Sequence, residues 1–229
     1  MALSQSALRA PSIVRDLAQP PTPELERLVG IGITTQAIPG QTIVLEGDPC
    51  SHCFRVLTGA VRLYKGTADG RRQLIDFLVA GDCFGLLGAH YTYSVEAITH
   101  ITLSKTPRAS LAAAVRAQPA MADRLIELAA AELARAHEHM LLLGRKNAQE
   151  KVASLLLELA RRIGVDQARP SFRLLLSRLE MADHLGLTIE TVSRTMTRLR
   201  EDGLIALPTP HDVVLLRPVE LATLAEGDA

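Results

Sequence analysis

The chain has no surplus of charge. Its 229 residues carry 25 basic and 25 acidic side chains, a formal net charge of zero. That balance excludes a blanket attraction to nucleic acid or to a membrane surface, so any binding to a polyanion must come from local placement. No apolar run reaches ~18 residues, and no transmembrane helix is expected. The opening MALSQSALRAPSIVRDLAQPPTP lacks the apolar stretch of a signal peptide. Three cysteines, Cys50, Cys53 and Cys83, are too few and too odd in number for a secreted disulfide framework. A cytoplasmic location is the expectation. There is no phosphate loop, nucleophile elbow or run of metal ligands, so an enzyme is not expected.

What is present is a chain 48% hydrophobic, enough for a sizeable core. Residues 1–22 read as a tail closed by Pro20, Pro21 and Pro23, followed by a short helical pattern in PELERLVGIG. From about residue 36 to 105, β-rich runs (QTIVLEG, CFRVLTGAVRLYK, RRQLIDFLVAG) alternate with turn signals at Gly47-Asp48, Gly59, Asp69-Gly70 and Gly81-Asp82. Regular short spacing of this kind predicts an all-β sandwich or barrel, and Asp69-Gly70 is a good hairpin turn.

The pattern then becomes helical to about residue 163. Ala122, Ile126, Ala129, Leu133, Ala136, Met140 and Leu143 alternate by four and three, a seam suited to a coiled coil. An ordinary amphipathic helix packed on its own domain needs about the same stripe, so the pattern alone does not decide for a dimer. Gly144 is expected to interrupt this helix, with GRKNAQEKVASLLLELARRIG starting the next and 164–170 forming a loop.

The remainder reads as a helix-turn-helix followed by short strands. Leu179, Ala182 and Leu185 share one helical face; Gly186 permits a tight turn; Thr188 caps the second helix. Ile189, Val192, Met196 and Leu199 form that helix's apolar stripe, and Gly203 stops it. LIALP and DVVLLRP then read as strands around a turn at 208–212, which makes the unit winged. The opposite face of the second helix carries Glu190, Thr191, Ser193, Arg194, Thr197 and Arg198. The first residues of a recognition helix reach base edges. Arginine donates twice to guanine, and glutamate accepts from the cytosine amino group. Glu190 and Arg194 lie one turn apart on one face. An isolated pair of this kind is a solvated contact worth ~0.3–0.5 kcal/mol. Its place at the start of the second helix of a complete winged motif favours DNA readout. Arg178, Arg198 and Arg200 are candidates for phosphate contacts, as are the hydroxyls of Thr188, Thr191 and Thr197.

LGLTIETVSR resembles the FNR/FixK branch of the bacterial CRP/FNR transcription-regulator family, and the resemblance spans nearly the whole chain. GDCFGLLG is similar to the family's β-roll segment, and LLLGRKNAQEKVASLLLELARR to the end of its dimer helix and the helix that follows. The resemblance implies an α+β fold: a jelly-roll-like β-roll, cyclic-nucleotide-binding-like, over 23–117; a dimerisation helix over 118–144, with Ile126, Ala129, Leu133, Ala136, Met140 and Leu143 at the seam; and a winged helix-turn-helix over 145–229. It implies base reading by Glu190, Ser193 and Arg194 in a TTGAT-N4-ATCAA palindrome of double-stranded DNA, bound by a homodimer. Half-sites about one helical turn apart suit such a dimer. RNA polymerase is the implied further partner, and no membrane is involved.

The same resemblance bears on what the β-roll senses. The family's cyclic AMP pocket uses a glutamate after F-x-G and an Arg-Ser pair. Here Leu86 stands at the glutamate position and Tyr91-Thr92 in place of the pair, so cyclic AMP is not expected. An iron–sulfur cluster needs four thiolates. The N-terminal segment supplies none, and Leu103 falls at the fourth family position. No cofactor is expected. FixK-type proteins lack both devices, and Ser177 occupies the region where some carry a redox-sensitive cysteine. The expected function is a regulator, an activator of micro-oxic, anaerobic or nitrogen-oxide metabolism genes, working without a bound effector. The alternative is a ligand-, metal- or redox-gated member using the β-roll pocket or the Cys50/Cys53 pair, with Cys83 as a third thiol.

Overall fold

A computed structural model describes residues 32–66, 72–165 and 170–227. The tail over 1–22, the helical pattern just after it, the Asp69-Gly70 turn and most of the 164–170 loop lie outside the described residues.

The alternating runs form eight strands: β1 Ile33–Ala37, β2 Thr42–Val44, β3 His52–Thr58, β4 Ala60–Gly66, β5 Arg72–Val79, β6 Cys83–Phe84, β7 Ser94–Ala97 and β8 Ile101–Pro107. They make two antiparallel four-stranded sheets, in the orders β1-β8-β3-β6 and β2-β7-β4-β5. Alternation along each strand sends one set of side chains between the sheets. Val56, Val61, Leu63, Phe84, Val95 and Leu103 meet there, and Phe54 stacks on Phe84 at 4.8 Å. The β3–β4 connection is a single residue, Gly59, at φ +81°; a side chain there would run into the His100 carbonyl. Opposite faces of β4 and β5 point away from this interior. There Arg62 pairs in register with Phe77.

Helix α1 spans Arg108–Ala117 and α2 spans Pro119–Arg145, separated by extended Gln118. Proline at the first position of α2 fits because its missing N–H would have no helical partner. Gly144 does not interrupt α2. The helix runs through it, and nothing lies within 4 Å of where its Cβ would be. The break comes at Lys146 and Asn147, both extended. Its cause is Asn147, whose side chain accepts from the N–H groups of Gln149 and Glu150 while Glu150 returns a bond to the Asn147 N–H. This reciprocal cap starts α3, Ala148–Ile163, more strongly than glycine stops α2.

The C-terminal unit contains β9 Ser171–Arg173, α4 Arg178–Leu185, α5 Ile189–Glu201, β10 Ile205–Thr209, β11 Asp212–Leu215 and α6 Pro218–Glu226. The wing is a three-stranded sheet in the order β10-β11-β9, so the two expected strands gain a third. Helix α6, where the sequence reading has only short strands after the helix-turn-helix, packs on α3. One expected face was misjudged: Leu179 is 53% exposed, and Met181 is buried with Ala182 and Leu185. In a helix of eight residues the core contact is a narrow arc set by α5 and β5, and Leu179 lies outside it. Ile189, at 41% exposed, likewise sits at the rim of a stripe whose buried members are Val192, Met196 and Leu199. The buried cluster of this unit does not stop at its border. It continues onto Leu74, Phe77 and Val79 of β5. The chain has the α+β fold of a β-roll sandwich, helices and a winged helix-turn-helix.

Candidate nucleic-acid interface

The second helix of the motif is fixed at both ends. At its start, the Thr188 hydroxyl accepts from the Thr191 N–H at 3.2 Å and lies 3.0 Å from the Thr191 hydroxyl. Gly186, at φ +61°, makes the left-handed turn that leads in from α4. At its end, the Leu204 N–H bonds the Leu199 carbonyl around left-handed Gly203. Arg217 closes this end. Its guanidinium donates to the Gly203 carbonyl at 3.0 Å and the Asp202 carbonyl at 2.5 Å, and pairs with Glu220 at 2.8 Å. A cation on the free carbonyls of a helix C-terminus is the favourable arrangement.

Between these ends, Val192, Met196 and Leu199 face the core, and Glu190, Ser193, Arg194 and Arg198 face solvent. Ser193, Arg194, Thr197 and Arg198 line one shallow depression with Glu201 and Asp202. Arg198 has Asp202 at 3.9 Å, and Arg200 has Glu201 at the same distance. The Glu190 carboxyl is held below the usual glutamate range, first by its own backbone N–H, then by the Thr188 hydroxyl, and less by Arg194. The helix N-terminus therefore keeps Glu190 ionised as an acceptor, ahead of any pairing with Arg194. An exposed carboxylate and a guanidinium one turn apart present one acceptor and one fork of donors on the same helix face.

Arg178 stands apart from the other phosphate candidates. It is half-buried, bonds the Pro210 carbonyl of the wing at 3.4 Å, and lies 3.4 Å from the Met181 sulfur. It ties α4 to the wing. Wing geometry comes from Thr209, whose hydroxyl accepts from the N–H groups of His211 and Asp212 and bonds the Asp212 carboxylate. His211 is thereby left exposed at the wing tip. Neither Arg217 nor His211 was singled out from sequence, and nothing local marks them. Glu180 was also missed, although Ser177-x-x-Glu180 is the signature of a reciprocal helix cap.

The β-roll loop carries Leu86 and Tyr91, and the Arg108 guanidinium donates to its Gly85 carbonyl at 3.1 Å. Leu86 is half-buried, and Tyr91 is buried with its hydroxyl donating to the His52 carbonyl at 2.7 Å. The three cysteines are unpaired. Cys50 bonds the Gly85 carbonyl and Cys53 the Thr106 carbonyl, so the two thiols serve different strands. Burial pushes the Cys53 thiol up to about 11 and the Cys83 thiol to about 12. No group of three or more His, Cys, Asp or Glu side chains among the described residues is placed to hold a metal. None of the described helices is long and apolar enough to cross a membrane.

Comparison with known proteins joins these two halves. Residues 35–118 match the cyclic nucleotide-binding domain family, and residues 150–224 the Crp-like helix-turn-helix domain family. The chain is 42% identical over 204 residues to the nitrogen fixation regulation protein FixK of Azorhizobium caulinodans, covering 81% of this chain and 82% of that one. It is 41% identical to the transcriptional activator protein FnrL of Cereibacter sphaeroides, over 83% of this chain and 79% of the relative. The solved structure of FixK2 from Bradyrhizobium japonicum superposes with a TM-score of 0.80 at 37% identity, covering 85% of this chain and 97% of that one. The chain therefore belongs to the CRP/FNR family of DNA-binding transcription regulators, in its FNR/FixK-type branch.

Proposed function

We propose that the protein is a homodimeric transcription activator that reads a TTGAT-N4-ATCAA-like palindrome without a bound effector. The genes it would control are those of micro-oxic, anaerobic or nitrogen-oxide metabolism. The observation that carries the reading is the solvent-facing Glu190, held ionised at the start of α5, with Arg194 one turn further on. Glu190 accepts from a cytosine amino group, Arg194 donates to guanine, and Ser193 lies between them. Dimerisation is supported by the seam of α2: Ile126, Leu133 and Met140 are 68%, 57% and 59% exposed, a row of large apolar side chains that costs free energy in water. Ala129 and Ala136 allow close approach between them, and Leu143 closes the row. Domain limits near 117/118 and 144/145 follow if α2 is the dimer helix. A dimer would place two reading helices about one DNA turn apart. RNA polymerase is the partner an activator requires.

The test is a binding titration of untreated protein on that palindrome and on a duplex with the central G·C pairs exchanged. Specific, salt-sensitive binding to the first is expected. Equal binding to both would overturn the assignment.

One observation favours a second reading, ligand gating. A cavity of about 740 Å³ lies between the β-roll and α2, with Leu63, Ile75, Thr92, Tyr93, Arg135 and Met140 among its walls. A small molecule retained in native mass spectra, with DNA binding lost on its removal, would select that reading.

A further inference from the structure

The β-roll grips the winged unit along the whole length of α4. At the first turn, Arg62 of β4 reaches two carboxylates at once, Glu96 of neighbouring β7 and Glu180 of α4. Glu96 is buried and also has Arg72 at 3.2 Å. Glu180 divides its oxygens. Oε2 accepts from the Ser177 N–H at 2.8 Å and hydroxyl at 2.7 Å, capping α4, while Oε1 takes the Arg62 guanidinium. At the last turn, the Gln73 amide of β5 donates to the Asp183 carbonyl at 2.5 Å. Beside it the buried His184 ring stacks on His139 of α2 at 4.2 Å and meets the Phe77 ring edge-on at 5.9 Å. Helix α5 follows α4 after one tight turn, so whatever fixes α4 fixes the reading face.

We propose that the β4–β5 hairpin is a positioning surface for the reading head, with Arg62 as its central residue. Arg62 acts through Glu180: it holds α4, and so α5, in the orientation used on DNA with no ligand present. This rests on the effector-free reading above. That reading needs a physical substitute for an effector, and direct contact between β-roll and head supplies one. The grip leaves the reading face open, since Glu190, Ser193 and Arg194 all lie on the solvent side.

The experiment compares wild type, Arg62→Ala, Glu180→Gln and the double variant. Each is titrated on the palindrome and on a scrambled duplex, and hydrogen exchange of the α4 amides is followed without DNA. Glutamine still fits the helix cap, so Glu180→Gln removes the clamp and leaves the helix start intact. It also deletes a negative charge, which by electrostatics alone would tighten DNA binding. A roughly tenfold loss on the palindrome, with little change on the scramble, is therefore a loss of geometry. We expect that loss in both single variants, no further loss in the double, and faster α4 exchange in all three. Undiminished palindrome affinity in Glu180→Gln, or losses that multiply in the double variant, would overturn the proposal. If wild type fails to prefer the palindrome, effector-free binding falls by itself. The clamp is then judged by exchange, and unchanged α4 rates in Glu180→Gln sink it.

Discussion

Glu190 and Glu180 sit on consecutive helices and are put to opposite uses. Glu190 stands in solvent at a helix start, its charge kept by a backbone N–H and a hydroxyl. Glu180 also stands at a helix start, but both its oxygens are spent, one on the cap and one on Arg62. The same residue type in the same local setting is left open to solvent in one place and serves as a fastener in the other. What separates them is the neighbour: β4 lies across Glu180, and none of the described elements covers Glu190. Glu190 and Arg194 stay exposed to solvent, whereas at the junction both oxygens of Glu180 are bonded within the protein.

That contrast predicts which variants unfold the chain and which only blind it. The largest effect is expected at the junction. Phe77 is fully buried, touches His184, and has the Arg162 guanidinium 4.4 Å from its ring centre. Phe77→Ala should cost about 3–5 kcal/mol in urea unfolding. On the reading face, Arg194→Ala should leave unfolding unchanged, cost about 1–3 kcal/mol of specific DNA binding and relax preference at the guanine, as competition titrations would reveal. A variant that lowers both stability and selectivity equally would erase the distinction.

Acid should also act on the junction first. Burial, aided by His139, lowers the His184 pKa from 6.5 to about 4. Between those values the unfolded chain takes up a proton that the folded chain refuses. Stability is therefore complete above pH 6.5 and falls as pH drops toward 4, by about 1.4 kcal/mol per pH unit from this group. Asp76 opposes the effect and Arg162 adds to it. Urea midpoints at pH 7 and 5 should differ in wild type and converge in His184→Gln. Glu190, whose pKa is lowered, stays ionised through this range, so base selectivity should persist where stability is already declining. The smallest effect is Thr188→Ala, about 1 kcal/mol from a lost cap, with weaker selectivity at the base Glu190 reads. Thr188→Ser should restore both.

The two regions were unequally legible in the sequence. The reading head could be read because its determinants are local: a cap, a stripe, a glycine and a charged face within one short segment. The β-roll's class was also visible from alternation and turns. The junction was not, because Arg62 and Glu180 are 118 residues apart and only the folded sheet brings them together. Arg217 reaches Gly203 across 14 residues with no pattern to announce it. Leu179 was misplaced because a three-residue spacing says which residues share a face, but not which face the rest of the fold will cover. The break at Asn147 was legible in principle, since Asn-x-x-Glu is a reciprocal cap, and glycine was the weaker signal.

The double fastening of α5, by Thr188 at one end and Arg217 at the other, turns the helix into a ruler. With both ends held, its rise of about 1.5 Å per residue sets the distance between readers. Glu190 and Arg194 are then about 6 Å apart along the axis, and the single G·C pair of a TTGAT half-site must fit between their side chains. Such a helix cannot stretch to meet bases moved further apart. A half-site with its G·C pair moved one step along the duplex should lose both contacts together, even with every side chain and every base type still present.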